Sequence, residues 1–167
     1  MGQQPAPAQA VDYIEVTRST YDSLGYPPYQ WVRTTEPPSF VPLAKPLSEC
    51  VVGLIASGGI YQTGQIAFHF KDDVSYRVIR TNADVSELRT THFAYDLTDA
   101  RTDINVVFPL ETLQRAVADG VINAIAPEAY TFMGGIYSSR RVSDVLAPAL
   151  AERMVAQNVD AVLLVPV

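Results

Sequence analysis

Apolar positions along this chain fall into blocks of different shape, and each shape predicts a different element. Cys50-Val51-Val52-Gly53-Leu54-Ile55-Ala56 is unbroken, as expected of a strand buried on both faces of a parallel sheet. Residues 160–165, apolar after Asp160, are read as another buried strand. Residues 76–80 alternate and predict a strand, and 121–126 predict a short one. Helical spacing appears in 109–120, where Leu110, Leu113, Ala116 and Val117 make one stripe. Pro109 suits its first turn, Glu111 its positive end and Gly120 its C-terminal cap. Residues 143–158 form the clearest helix, with Ser143 as N-cap, Asp144 in the first turn, and Val145, Leu146, Leu150, Met154 and Val155 turned inward. Residues 12–24 fit a short helix stopped by Gly25, although the β-branched Ile14, Val16, Thr17 and Thr20 argue against it.

The strand, helix, strand rhythm predicts an α/β fold: an open, mostly parallel sheet with flanking helices in three layers, Rossmann- or flavodoxin-like, joined by right-handed crossovers. The first ten residues are a Gln/Pro/Ala-rich lead-in. Residues 26–46 hold six prolines among Tyr29, Trp31 and Phe40, which excludes regular helix and central strand and predicts an extended arm. That arm wraps the domain's own core or lies on a partner surface. The domain expectation is therefore 1–46 for the flexible N-terminus and arm, and 47–167 for the α/β domain. Ligands of open α/β sheets sit beyond the carboxyl ends of the strands. Because strand 160–165 has no loop after it, the domain is expected to be incomplete at its C-terminus.

Composition narrows the function classes. Apolar residues are 48% and charged residues 18% of the chain, as in globular proteins. A net charge of −6, with Arg140-Arg141 the one adjacent basic pair, disfavours nucleic acid. No apolar run approaches the roughly 20 residues of a membrane span, and residues 1–10 lack a signal-peptide pattern. A cytoplasmic protein is the expectation. The single Cys50 has no internal disulfide partner and, beside Glu49 at the start of an apolar strand, reads as an inert thiol.

Three segments carry candidate chemistry. Ser57-Gly58-Gly59 sits where a βα turn is expected, so its amides either cradle a phosphate or carboxylate or merely serve a turn with positive φ. The stretch 91–105 is the densest polar cluster. His92 and Tyr95 are acid–base candidates there, and Asp96, Asp99 or Asp103 can orient the imidazole. The plainer reading is a solvated loop whose aspartates cap turns. Asn105 closes this cluster. Phe132-Met133-Gly134-Gly135 offers a further close backbone approach, after Ala126-Pro127-Glu128, where Glu128 reads best as an ordinary surface carboxylate. His69 and His92 lie far apart and no HxxxH or CxxC spacing occurs, so no metal site is expected. No GxGxxG or GxxxxGK[ST] occurs, so no bound nucleotide cofactor is expected in this chain.

Taken in order, these landmarks resemble the selenoprotein B family of the glycine, sarcosine, betaine and D-proline reductases. The resemblance covers roughly residues 40–167. It rests on Val41-Pro42-Leu43-Ala44-Lys45-Pro46-Leu47-Ser48-Glu49-Cys50, Ser57-Gly58-Gly59-Ile60, the 92–105 cluster, Val107-Phe108-Pro109-Leu110, residues 128–134 and residues 160–166. It implies an oxidoreductase subunit in which a selenolate or thiolate reductively cleaves an amino-acid-type substrate, activated on a partner subunit that bears a pyruvoyl group. The selenocysteine or cysteine, followed by Pro-x-Cys, is expected directly after Val167, so this chain reads as a truncated platform that is inactive alone. His92, Tyr95 and Asp99 become the catalytic candidates. Ser57, Gly58, Gly59, Asp103, Asn105, Met133 and Gly134 become the substrate-binding ones. The resemblance is compatible with a homo-oligomer. The alternative is a non-catalytic α/β module that binds a small anion or a protein partner.

Overall fold

The computed structural model describes residues 12–28 and 32–167, leaving aside the side chain of Tyr13. The expectations for the lead-in and for Tyr29 and Trp31 lie outside the described residues. The chain divides into two compact units, Met1–Ser39 and Phe40–Val167. Within the first, helix α1 (Tyr13–Ser23) forms despite its β-branched residues. The Asp12 carboxylate accepts from the amides of Ile14 and Glu15, both at 3.0 Å, and so satisfies two otherwise unpaired donors. Gly25 follows at φ +73° and ends it.

In the second unit, β1 (Val51–Ala56) is the central strand of a five-stranded, mostly parallel sheet. One of its edges pairs in parallel with β7 (Ala161–Val165) over the full register from Val52–Ala161 to Ala56–Val165. Its other edge is shared by two short strands in succession, β5 (Ala124–Ile125) and β6 (Glu128–Thr131), both parallel to it. Ala126 and Pro127 separate the two, because proline has no N–H to give to the ladder. The predicted strand at 121–126 is thus two residues long, and β6 lies beyond the proline that hid it. β3 (Arg77–Arg80) closes the outer edge, antiparallel to β6. A separate antiparallel ribbon joins β2 (Ile60–Gln62) to β4 (Leu88–Thr90).

Alternation along β1 sends its side chains into two cores. Val52, Leu54 and Ala56 pack on one face with Phe108 and with Leu110 and Leu113 of α3 (Leu110–Ala118). The short helix α2 (Thr98–Thr102) contributes Ala100 to this core. Ile55 points the other way, toward Leu146, Leu150 and Met154. Gly53 lies on that second face, and a Cβ there would sit 2.4 Å from the Met154 sulfur, so the Met154 side chain packs where a larger residue would make it move. Helices on both faces make the three layers predicted.

The last helix departs from its predicted form. It starts at α4 (Ser139–Arg141) with Ser138, not Ser143, as the N-cap. It then passes through a π-turn at Val142–Leu146 and continues as α5 (Ala147–Ala156). Ser143 is inside the π-turn, its hydroxyl turned back to the Arg140 carbonyl at 3.1 Å. Pro148 lacks the N–H an uninterrupted α-helix would use, and it comes just after the wider turn. Leu146, Leu150 and Met154, four residues apart, are buried, while Val145 and Val155 face solvent. Strand β7 is corrected too. It is an edge strand, with Val162, Leu163 and Leu164 exposed, because β1 is its partner in the sheet and no described strand lies outside it. Among the described residues no helix is long and apolar enough to cross a membrane.

Candidate active site

Strands β1, β6 and β7 run parallel, so their carboxyl ends meet at one place. Ser57 continues β1 between its two neighbours. Its amide donates to the Val165 carbonyl at 3.0 Å, while its carbonyl accepts from Gly134 at 2.8 Å. Gly59 donates to the Phe132 carbonyl at 2.9 Å, completing an antiparallel bridge between Gly58 and Met133. These bonds correct one sequence expectation. The amides of Ser57 and Gly59 are already spent on carbonyls, and β2 rather than a helix follows, so they offer no anion cradle. Gly59 is required for another reason. Gly59 has φ +69°, and a Cβ there would overlap the Thr91 carbonyl oxygen at 1.9 Å. At Gly58 a Cβ would be a tight fit and no overlap, 3.2 Å from the Val107 Cβ and 3.4 Å from the Tyr95 hydroxyl and a Val167 methyl.

The 91–105 segment reaches this point through Tyr95 and His92. The Tyr95 hydroxyl donates to the Gly58 carbonyl at 2.9 Å, and Thr90 of β4 sits 2.8 Å from that carbonyl and 2.9 Å from the phenol. Burial raises the Tyr95 phenol above its ordinary range, with the Thr90 contact opposing it, so the proton stays on at neutral pH. His92 is nine-tenths buried, its ring 4.8 Å from that of Tyr95 and stacked on Phe93 at 5.7 Å. Its Nδ1 accepts from the Ala94 amide at 3.0 Å, which places the proton of the neutral ring on Nε2. That Nε2 is buried and has no hydrogen-bond partner. Burial lowers the imidazole's basicity, which keeps the ring neutral. The cluster thus holds two uncharged proton carriers, a phenol and an imidazole N–H.

The carboxylates do not orient His92. Asp96 accepts from the amide and hydroxyl of Thr98, at 2.9 and 2.7 Å, and Asp103 accepts from the amide and side chain of Asn105. Asp99 lies exposed in the first turn of α2. Asp103 and Asn105 line a different cavity, which shares Thr90 with the cluster. Asn105 also accepts from the Glu111 amide at 3.1 Å, fixing the start of α3. Of the candidate residues, the structure brings together Ser57, Gly58, Gly59, His92, Tyr95, Met133 and Gly134, and it separates Asp99, Asp103 and Asn105 from them.

Sequence reasoning missed three participants. Thr90 is visible only as the second inward position of the Leu88-Arg89-Thr90 alternation. Thr131, fully buried, accepts from the Ile60 amide at 3.0 Å and ties β2 to β6. Val167 donates its amide to the Ser57 hydroxyl at 2.9 Å, which fixes the path of the chain as it leaves β7. Nothing local in the sequence announces that bond, since its partners are 110 positions apart.

Residues 33–167 match the family of glycine/sarcosine/betaine reductase selenoprotein B. The chain belongs to that family. Selenoprotein B is a component of reductases, and the family's matched region contains the whole sheet and the cluster at its carboxyl end. Over 134 residues the chain is 34% identical to the D-proline reductase subunit gamma of Acetoanaerobium sticklandii, an alignment covering 80% of this chain and 55% of that relative. It therefore spans about half the length of the curated relative it matches. No solved structure matches it.

Proposed function

We infer that this selenoprotein B family chain is the platform on which an amino-acid-type substrate is reductively cleaved, in concert with a partner subunit bearing a pyruvoyl group. The observation that carries the reading is the bond of Val167 to Ser57, beside Gly58, whose carbonyl holds the Tyr95 hydroxyl. In this reading a group directly after Val167 would start beside Ser57 and Gly58, next to the uncharged proton carriers. In this reading a selenolate or thiolate stands there, as the family resemblance suggests, and its chemistry is displacement at the substrate's α-carbon, with the C–N electron pair leaving on the amine.

The residues present suit such a group. A buried, unpartnered imidazole N–H can donate to an anion without adding a charge that would need its own counter-ion, and the protonated phenol becomes a second such donor once it turns from the Gly58 carbonyl. In this reading Tyr95 gives a proton or hydrogen bond to the departing amine. His92, held in one tautomer by Ala94, steadies the anionic nucleophile. Ser57 sets the exit path of the chain, while Gly58, Gly59, Met133 and Gly134 form the adjoining wall. Asp99, Asp103 and Asn105 take no direct part in this step.

Two experiments test it. The codons after Val167 are expected to read in frame as a selenocysteine UGA or a cysteine, followed by Pro-x-Cys; a UAA or UAG stop overturns the reading. In the full-length protein with its partner and a dithiol, Tyr95→Phe is expected to cut amine release by about tenfold or more, and an unchanged rate removes Tyr95 from the chemistry.

A further inference from the structure

Beside β7 the second face of the sheet lies open. Val162 and Leu164 belong to that face, because they pair in register with Gly53 and Ile55. Both are exposed. Facing them on α5, Ala147, Ala151 and Val155 follow one another at four-residue spacing, and all three are exposed on one stripe of the helix. A groove of about 540 Å3 runs between the two rows. Asp160 is its one charged lining residue, and that carboxylate is already bonded to Lys45 and to the Val51 amide. A cleft that shares Ile55, Phe132 and Leu164 with the groove carries it on past Val165 to Val167. The five residues of β7 span about 17 Å, which is the length of a helix of about 11 residues.

Topology decides which elements fit there. Strand β6 leads through α5 to β7 on the far side of β1, and α5 covers the second face. Such parallel connections are right-handed in about 98% of cases. A further parallel strand outside β7 is reached by moving in the same direction. With the same hand, its crossover helix must lie on the same face as α5. That face is the one on which the groove is open.

A helix seated in the groove would bury an apolar stripe against both rows at once. The strand after it would take the outer edge of β7, where no described strand lies. A crossover needs about a dozen residues or more, and nearly half of the D-proline reductase subunit gamma lies outside its alignment with this chain. We propose that the groove seats an amphipathic helix from the part of the full-length protein that follows Val167, and that this helix leads into a strand added in parallel to β7. The handedness and the two apolar rows carry this assignment independently of the reductase reading.

Maleimide labelling, read by mass spectrometry of the modified peptide, tests it in both the 167-residue chain and the full-length protein. Leu164→Cys is the probe, since position 164 is exposed and the native thiol, Cys50, is fully buried. Ile66→Cys, exposed in the loop before β3, corrects for general reactivity. Position 164 is expected to react freely in the 167-residue chain and about tenfold or more slower in the full-length protein. Val155→Asp should lower the melting temperature of the full-length protein by about 5 °C or more and leave that of the shorter chain unchanged. Equal labelling in the two proteins overturns the proposal, as does protection of position 164 in the dilute 167-residue chain. Protection in the full-length protein that dilution removes assigns the groove to a second copy and overturns it too. So does a gene that stops at Val167. The labelling does not depend on whether a selenocysteine or cysteine follows Val167, so the reductase reading and this one fail separately.

Discussion

Strands β1 and β7 lie side by side in register, and both are almost wholly apolar, yet they live in different environments. From Val52 to Ala56 every residue of β1 is buried, with strands on both edges and helices on both faces. Val162, Leu163 and Leu164 of β7 are 40%, 38% and 65% exposed. The difference lies in the neighbours and not in the residues: β7 has β1 on one side and no described strand on the other. Hydrophobicity along a strand therefore reports that it pairs, while burial depends on what the rest of the chain lays over it. Asp160 shows how the two strands are locked at their start. Its carboxylate accepts from the Val51 amide at 2.7 Å and from Lys45 at 2.8 Å, and the Lys45 bond leads in holding its pKa below the ordinary value.

The most severe test of the packed side is Gly59→Ala, just past β1. Positive φ and a backbone oxygen 1.9 Å from the new carbon leave nothing flexible to move. A loss of more than about 4 kcal/mol is expected in urea unfolding. A variant of near wild-type stability would show that the end of β1 is far looser than its bonds to Phe132 and Thr91 imply. Leu54→Ala should come next. Leu54 is fully buried between α3 and the sheet, and removing its branched end costs about 3 kcal/mol if the cavity does not collapse.

How much of this was legible beforehand follows the same division. The sequence announced β1, α3, the last helix and β7, because unbroken apolar runs and a stripe at helical spacing are local signals. The mostly parallel sheet followed from their order. β6 was hidden by Pro127, which interrupts the pattern but breaks only the junction with β5. The last helix begins before its predicted start, at Ser138, and Ser143 falls in a π-turn, a geometric response that periodicity does not encode. In the candidate site, Ser57-Gly58-Gly59, His92 and Tyr95 stood out by residue type and by position after a strand. The carboxylates stood out by type alone, and they cap turns and line another cavity. What joins Gly58 to Tyr95 and Ser57 to Val167 is long-range pairing, which no spacing rule contains.

His92 offers a smaller test on the packed side, through pH. Burial puts its folded-state pKa below the ordinary 6.5, so the unfolded chain binds more protons once pH falls beneath that value. The stability associated with His92 is present above pH about 6.5 and declines as pH falls toward the lower folded pKa. His92→Phe should remove that part of the slope in denaturation midpoints measured between pH 7 and 5. If the slope is the same in the variant, the imidazole is not held neutral by burial and its unpartnered Nε2 has been satisfied by another route.

The smallest effect belongs to the exposed strand. Leu164 pairs with Ile55 in register but leaves most of its side chain in solvent, so Leu164→Ser removes little that folding had buried. A change within about 0.5 kcal/mol is expected in unfolding free energy from urea titration of the dilute chain, against about 3 kcal/mol for Leu54→Ala one pair away in the neighbouring strand. Hydrogen exchange sharpens the contrast, because the amides of β7 that face away from β1 should exchange fast while those of β1 are protected from both sides. A cost of 2 kcal/mol or more at Leu164, or strong protection along the outer edge of β7, would mean that in solution something covers this strand. The two strands would then differ by what is bound to them and not by the fold of this chain.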